Sequence, residues 1–150
     1  MATAKIVFAT ITGNNEDIAD IIAQALEEKG LSVSVEEISQ ADPADFEDVD
    51  LCVVCPYTYD EGSLPDEGLD FYEELAEVDL SGKVFGVAGS GDTFYGEYFG
   101  VAVDKFATAL EAAGATKGAP NLKINLAPDS EEDIQALDDF AATLAQAVIA

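Results

Sequence analysis

The sequence predicts an α/β protein: a doubly wound parallel sheet of five strands with helices on both faces. Short apolar runs alternate with stretches whose apolar residues recur at helical spacing, and this pattern is typical of βαβ units. In such a unit the helix returns the chain to the same end of the sheet, so the strands run parallel, and the crossover is right-handed. The 150 residues contain no internal repeat or low-complexity linker, so we predict a single domain over residues 1–150.

The first part of the chain begins with a strand and a helix. The strand is Lys5–Ala9, and the helix after it carries apolar residues at helical spacing, namely Ile18, Ile21, Ile22, Ala25 and Leu26. Lys29 and Gly30 are typical of a helix end. Alternating apolar and polar residues over 31–36 then predict a half-exposed edge strand.

A polar stretch over 39–50, with Pro43, indicates a short turn or a single helical turn before the third strand. That strand, Leu51–Cys55, is apolar throughout, as a central parallel strand should be. Its cysteines have CxxC spacing, but an odd offset in a strand places Cys52 and Cys55 on opposite faces, about 10 Å apart. A disulfide needs Cα atoms within about 7 Å, so we predict two small core residues.

The second half continues the alternation after a long loop rich in residues that break regular structure. Its predicted elements are a helix over 69–76, a strand over 83–88, a helix over 99–113 closed by Gly114, a strand over 122–126 and a last helix capped by Ser130. We expect this last helix to face the core with Ile134, Leu137, Ala141, Leu144 and Val148.

The charge is one-sided, because 31 Asp and Glu residues face six Lys, with no Arg and no His, for a formal net charge of -25. Nucleic acid and anionic lipid are therefore disfavoured as partners. Two interpretations of the acidity stay open: it confers solubility or salt tolerance, or it steers the protein toward basic partners.

Several classes of site and location are excluded. Without histidine and with separated thiols, the chain lacks the groups for a zinc site or a histidine-based triad, so we predict no metal. Apolar runs fall short of the roughly 20 residues of a membrane span. The N-terminus leads into the first strand without a signal-peptide core, so we expect a cytoplasmic protein.

Three loops are expected at the ligand edge of the sheet, beyond the carboxyl ends of strands one, three and four. They are Thr10–Asn15, Tyr57–Gly62 and Gly89–Gly96. The first opens a helix whose unpaired N–H groups suit an anion. The alternative is that Thr12 or Asn14 only caps that helix.

The other two loops carry Tyr59 and Tyr95. Two aromatic side chains on neighbouring loops can sandwich a planar ring and contribute about 1 kcal/mol each beyond area burial. Alternatively, each tyrosine packs its own loop onto the body of the protein. Together the three loops favour a ligand with an anionic tail and a flat head.

The loops also carry motifs of a known family: T-x-T-G at 10–13, Y-T-Y at 57–59 and G-S-G-D at 89–92. In this combination the chain resembles the short-chain flavodoxins, which are FMN-binding electron carriers, along essentially its whole length. The resemblance implies strand order 2-1-3-4-5 and non-covalently bound FMN, with the phosphate in the first loop and the ring between Tyr59 and Tyr95. The implied FMN-binding residues are Thr10, Ile11, Thr12, Gly13, Asn14, Asn15, Tyr57, Thr58, Tyr59, Asp60, Glu61, Gly62, Gly89, Ser90, Gly91, Asp92, Phe94 and Tyr95.

Two positions depart from the family pattern. Asn15 stands where the phosphate loop usually ends in threonine, which removes one hydroxyl donor. Asp60 stands where members usually carry glycine after the ring-stacking aromatic. In the family that glycine peptide flips to hydrogen-bond the half-reduced flavin, so a side chain at residue 60 is expected to weaken this effect.

The resemblance implies a low-potential one-electron carrier that has no catalytic residue. Its expected partners are redox proteins with basic docking surfaces, such as an NAD(P)H-dependent reductase, and we expect a monomer. The alternative on the same fold is an FMN-dependent quinone reductase or a ribonucleotide-reductase-activating flavoprotein. A phosphoacceptor receiver domain shares this strand order, but residues 10–12 and 55–57 lack the aspartates it needs.

Overall fold

The structure is a computed structural model that describes residues 2–9, 14–56, 71–91, 101–125 and 130–149. Its strands are Thr3–Phe8 (β1), Ser32–Glu37 (β2), Leu51–Cys55 (β3), Val84–Gly91 (β4), Thr116–Lys117 (β5) and Leu122–Asn125 (β6). All their pairings are parallel, and the order across the sheet is β2-β1-β3-β4-β5, with β6 also paired to β4. The predicted order 2-1-3-4-5 is confirmed.

The fifth position of the sheet holds two short strands. The strand predicted over 122–126 is confirmed as β6, whereas the short strand β5 was not predicted. β5 pairs with Val84 and Phe85 at the start of β4, whereas β6 pairs with residues 88–91 at its end. Pro120 lies between the two segments and has no N–H to donate to a ladder, so a continuous strand is disfavoured there. Leu126 lies outside the described residues.

The helices are Asn14–Glu28 (α1), Val101–Ala112 (α2) and Glu131–Ile149 (α3). Short 3-10 helices occupy Ile38–Gln40 and Pro43–Asp48, and helical residues 71–74 run into a third at Leu75–Glu77. The predicted helix end at Gly30 is confirmed by its φ of 94°. The predicted cap at Ser130 is confirmed too, because its Oγ accepts a hydrogen bond from the Asp133 N–H at 3.1 Å.

Each face of the sheet packs against its own hydrophobic cluster. α1 and α3 cover one face, where Ile22 and Leu144 pack with β1 and β3. α2 and the 3-10 segments cover the other, where Phe46 and Phe106 are fully buried. The helices therefore lie on both faces, as predicted.

The two cysteines lie on opposite faces of β3, as predicted. Cys52 belongs to the α2 cluster and Cys55 to the α1 and α3 cluster, and both are buried and free. Burial raises the pKa of the Cys52 thiol to about 12, with a small opposing effect of Lys83, and burial also raises the pKa of Cys55. Both thiols thus stay protonated near neutral pH and are core residues.

One residue of the last helix does not face the core as expected. Leu137, Ala141 and Leu144 are fully buried, but Ile134 in the first turn of α3 is 41% exposed. It lines a shallow groove between α3 and α1 together with Ile21 and Ala25. The apolar stripe of α3 therefore begins at the surface, before the helix reaches the sheet.

Candidate functional site

The carboxyl ends of three neighbouring strands meet at one edge of the sheet, the site edge. Phe8 of β1 pairs with Cys55 of β3, and Val54 of β3 pairs with Val87 of β4. The Ala9 N–H continues the first ladder by donating to the Cys55 carbonyl at 3.0 Å. The chain thus leaves β1, β3 and β4 side by side, and the three predicted binding loops start from this edge.

The structure describes five of the predicted site residues. Asn14 and Asn15 are the first residues of α1. Gly89, Ser90 and Gly91 were expected in a loop, but they are the last three residues of β4 and pair with residues 123–125 of β6. The ladder to β6 is the physical reason for this longer strand. The others lie outside the described residues: Thr10, Ile11, Thr12, Gly13, Tyr57, Thr58, Tyr59, Asp60, Glu61, Gly62, Asp92, Phe94 and Tyr95.

The N-terminus of α1 follows β1 closely, and its free backbone N–H groups give it a partial positive charge. Glu16 and Asp17 in its first turn are exposed carboxylates that stabilise the helix but repel an anion. An anion held here must therefore be bound mainly by hydrogen bonds from the backbone and from side chains at 10–15.

A close approach between β3 and β4 shapes the site edge. A Cβ on Gly89 would overlap the carbonyl oxygen of Pro56 and lie 3.0 Å from both Pro56 Cδ and Val103 Cγ2. Pro56 is buried and directly precedes the second loop, whereas Gly89 lies near the start of the third. Only glycine therefore allows β3 and β4 to lie this close together at the points where the chain enters the two loops that would flank a flat ring.

Pro56 was not among the predicted site residues. Its position between a buried strand and a breaker-rich loop suggested only that the strand ends there. The register of β3 against β4 places it beside Gly89, and register across parallel strands is not a local property of sequence.

Three lysines in the described part of the chain pair with carboxylates. Lys5, whose side chain is 14% exposed, lies 2.9 Å from Glu36 and 3.7 Å from Asp45. Lys123 lies 2.7 Å from Asp104, and Lys117 forms a longer pair. Their charge is thereby partly neutralised, and the surface field is dominated by the excess of carboxylates.

The described residues contain neither a metal-binding cluster nor a membrane-spanning helix. No group of three or more acidic or cysteine side chains is arranged to hold a metal ion within these ranges. None of the helices described combines the length and the apolar character needed to cross a bilayer.

Comparisons with known proteins agree with this fold. The family model described as Flavodoxin matches residues 6–140. The relative "Probable flavodoxin 1" of Bacillus subtilis (strain 168) is 39% identical over 141 residues, which cover 94% of this chain and 89% of the relative.

Solved structures are similar as well. A short-chain flavodoxin associated with a PDU bacterial microcompartment is 55% identical, with a TM-score of 0.96 and 99% of each chain covered. The flavodoxin of Streptococcus pneumoniae TIGR4 is 51% identical, with a TM-score of 0.94, and 98% of this chain and 100% of that chain are covered. The chain therefore belongs to the flavodoxin family.

Proposed function

We propose that this flavodoxin carries electrons one at a time, at low potential, between separate redox enzymes. Its role as an FMN-based electron carrier follows from its family. The observation that carries the proposal is the family match over residues 6–140, which includes the carboxyl ends of all three strands that meet at the site edge.

Two groups of residues fit the two parts of FMN, its phosphate and its ring. Residues 10–15, at the start of α1, would hold the phosphate with backbone N–H groups and with hydroxyl and amide side chains. Tyr59 and Tyr95 would flank the ring. The contact of Gly89 with Pro56 brings the starts of their two loops close together. When bound, FMN supplies the capacity to accept and release single electrons, and the protein supplies binding, orientation and electrostatics.

The low potential is expected from the charge. An electron added to a bound group is repelled by each nearby carboxylate, by about 1 to 2 kcal/mol at roughly 10 Å with an effective dielectric of 20, before screening by salt. Because 31 carboxylates face six lysines, we expect repulsion to exceed attraction at the site edge.

The partners we propose are redox proteins with basic docking surfaces, including an NAD(P)H-dependent reductase, and the carrier is proposed to be monomeric and cytoplasmic. Opposite charges speed encounter at low salt. The rate of reduction by such a reductase should therefore fall steeply as NaCl rises toward physiological strength, where the Debye length is about 8 Å. A flat salt profile would mean that the acidity serves solubility alone.

The alternative is an enzyme on the same fold, and turnover separates the two. FMN-loaded protein is mixed with NAD(P)H and a quinone, first alone and then with a catalytic amount of a flavodoxin reductase and cytochrome c. A carrier passes electrons to cytochrome c only when the reductase is present. Sustained oxidation of NAD(P)H by the protein alone would refute the carrier proposal in favour of a quinone reductase.

A further inference from the structure

A carboxylate with two donors joins the first turn of α2 to β6. Asp104 Oδ2 accepts from Lys123 Nζ at 2.7 Å, and its Oδ1 accepts from Asn121 Nδ2 at 3.2 Å. Lys123 lies in β6, and Asn121 directly precedes that strand. Because each oxygen has a donor of its own, the carboxylate is held against rotation as well as translation. We call these three residues the α2 clamp.

The same turn of α2 packs against β4 at the site edge. Val103 is fully buried, and a Cβ on Gly89 would lie 3.0 Å from its Cγ2. Lys123 pairs with Gly89 in the ladder between β6 and β4. The α2 clamp therefore fixes the start of α2 at the level where β4 lies against Pro56.

Strand β6 thereby holds both ends of the connection over residues 92–100, which contains Tyr95. The first end follows Gly91, which is paired to β6. The second end precedes Val101, the first residue of α2, which lies less than one helical turn before Asp104. A connection with two fixed ends can adopt fewer conformations, and such pre-organisation strengthens binding because less entropy is lost.

We propose that Asp104 is a positioning residue for the flavin ring. By joining α2 to β6 it fixes one end of the connection that carries Tyr95, so that fewer positions of this side chain compete with the one that stacks on the ring. Asp104 acts through the connection and through Val103, and it does not need to contact FMN. The inference rests on the proposed function, since it assumes that Tyr95 flanks the ring.

A second ion pair on α2 provides a matched control. Glu111 lies seven residues after Asp104, or about 10 Å along the helix, and its Oε1 is 3.8 Å from Lys117 Nζ. The side chains of Asp104 and Glu111 are 52% and 56% exposed. Lys117 pairs with Phe85 near the start of β4, so this second pair lies toward the amino end of the sheet. Removal of either carboxylate takes the same charge from the same helix, at different distances from the site edge.

The test compares Asp104→Ala and Glu111→Ala with the parent in fluorescence titrations of the apoprotein with FMN and with riboflavin. Riboflavin contains the ring but is uncharged, so a change in its affinity does not come from the charge that is removed. We expect Asp104→Ala to bind both flavins about threefold more weakly, as for the loss of an exposed ion pair, and Glu111→Ala to bind riboflavin like the parent. The visible circular dichroism of bound FMN should change in Asp104→Ala alone, because it reports the surroundings of the ring.

Two further measurements separate positioning from a loss of stability. Urea unfolding identifies the conditions in which every variant is folded, and the affinities are measured there. Lys123→Met breaks the same pair from the side of β6 and keeps an apolar stem, so it should weaken riboflavin binding to a similar extent. The double variant Asp104→Ala/Lys123→Met should then bind no more weakly than Asp104→Ala, since both changes remove one interaction.

The proposal is overturned if folded Asp104→Ala binds riboflavin like the parent, or if Glu111→Ala weakens riboflavin binding equally. It is also overturned if the effects of Asp104→Ala and Lys123→Met add in the double variant. These outcomes leave the carrier proposal intact, because it requires only that the parent protein bind FMN and deliver electrons through a reductase. A parent protein that bound neither flavin would contradict both proposals.

Discussion

The two ends of the sheet use their residues differently. At the amino end of the strands, carboxylates form hydrogen bonds to the backbone: Asp50 accepts from the Thr3 N–H at 3.0 Å, and Asp79 accepts from the Ser81 N–H at 3.0 Å and its hydroxyl at 2.6 Å. At the carboxyl end, Gly89 and Pro56 touch and the binding loops begin. We therefore expect changes at the amino end to affect stability alone, and changes at the carboxyl end to affect the site as well.

The largest effect should come from a methyl group at the carboxyl end. Gly89→Ala places a Cβ against the Pro56 carbonyl oxygen, which is backbone and can move only with β3. We expect the variant to lose stability, by about 1 to 3 kcal/mol, and to bind FMN at least about tenfold more weakly, because the starts of two loops are pushed apart. Flavin fluorescence titration and urea unfolding measure the two effects.

Gly86→Ala in the same strand is the matched control for that variant. Its Cβ would meet Leu144 Cδ1 at 2.7 Å and Phe140 Cζ at 2.8 Å, which are the far ends of side chains on the opposite face. This variant should lose stability and keep the FMN affinity of the folded protein. If Gly86→Ala weakened FMN binding as much as Gly89→Ala, the contact of Gly89 with Pro56 would have no separate role in FMN binding.

The next effect concerns a turn at the amino end. Gly114 has a φ of 107°, and its Cβ would lie 2.9 Å from Ser81 Oγ, so Gly114→Ala combines backbone strain with a steric clash. Gly30 has a similar φ of 94° but nothing within 4 Å. Strain alone should lower the free energy of unfolding by about 1 to 2 kcal/mol in Gly30→Ala, and Gly114→Ala should lose more.

Chemical denaturation of the two variants measures that difference, and FMN titration checks the site. Both variants should bind FMN like the parent protein, since these turns lie at the opposite end from the loops. A loss of FMN affinity in the folded Gly114→Ala protein would contradict the claim that turns at the amino end of the sheet do not affect the FMN site.

The smallest effect is a pH dependence at the same end. The side-chain and backbone hydrogen bonds from Ser81 lower the pKa of Asp79 below its ordinary value of 3.8. A carboxyl group whose pKa is lowered by folding stabilises the protein above its unfolded pKa, and this contribution is lost as the pH falls through the folded pKa. Asp79→Asn should therefore be less stable than the parent near neutral pH, and the difference should shrink below pH 3.8.

Thermal unfolding followed from pH 6 to pH 3 measures this difference, with Asp48→Asn as the control because Asp48 is an exposed carboxylate of the same end. A constant difference between Asp79→Asn and the parent over that range would show that the hydrogen bonds from Ser81 do not depend on the charge of Asp79.

Much of the fold could be predicted because its signals are local. The buried strand β3, the helix end at Gly30 and the cap at Ser130 each follow from a few neighbouring residues. The short strand β5 was missed because it exists only through its pairing with the start of β4, apart from the pairing of β6 with the end of β4. That pairing joins residues distant in the chain and leaves no periodic pattern.

The prediction of the site was limited in the same way, by contacts between residues distant in the chain. The loop motifs predicted the ligand edge, and the meeting of β1, β3 and β4 there is confirmed. The strand character of Gly89 to Gly91 and the role of Pro56 were missed, since the first depends on β6 and the second on register. The side chains at 10–13, 57–62 and 92–95 stay predictions, and they lie outside the described residues.

The central claim is that the carboxyl end of this sheet holds FMN by its phosphate and its ring. The most direct measurement is a fluorescence titration of the apoprotein with FMN and, separately, with riboflavin, which lacks the phosphate. We expect one FMN to bind per chain with quenched emission, and riboflavin to bind at least about tenfold more weakly, because charge-assisted hydrogen bonds contribute about 1.5 to 3 kcal/mol each. Equal affinities for FMN and riboflavin would contradict the role of the phosphate loop. FMN whose emission stays unquenched because it does not bind would contradict the whole account.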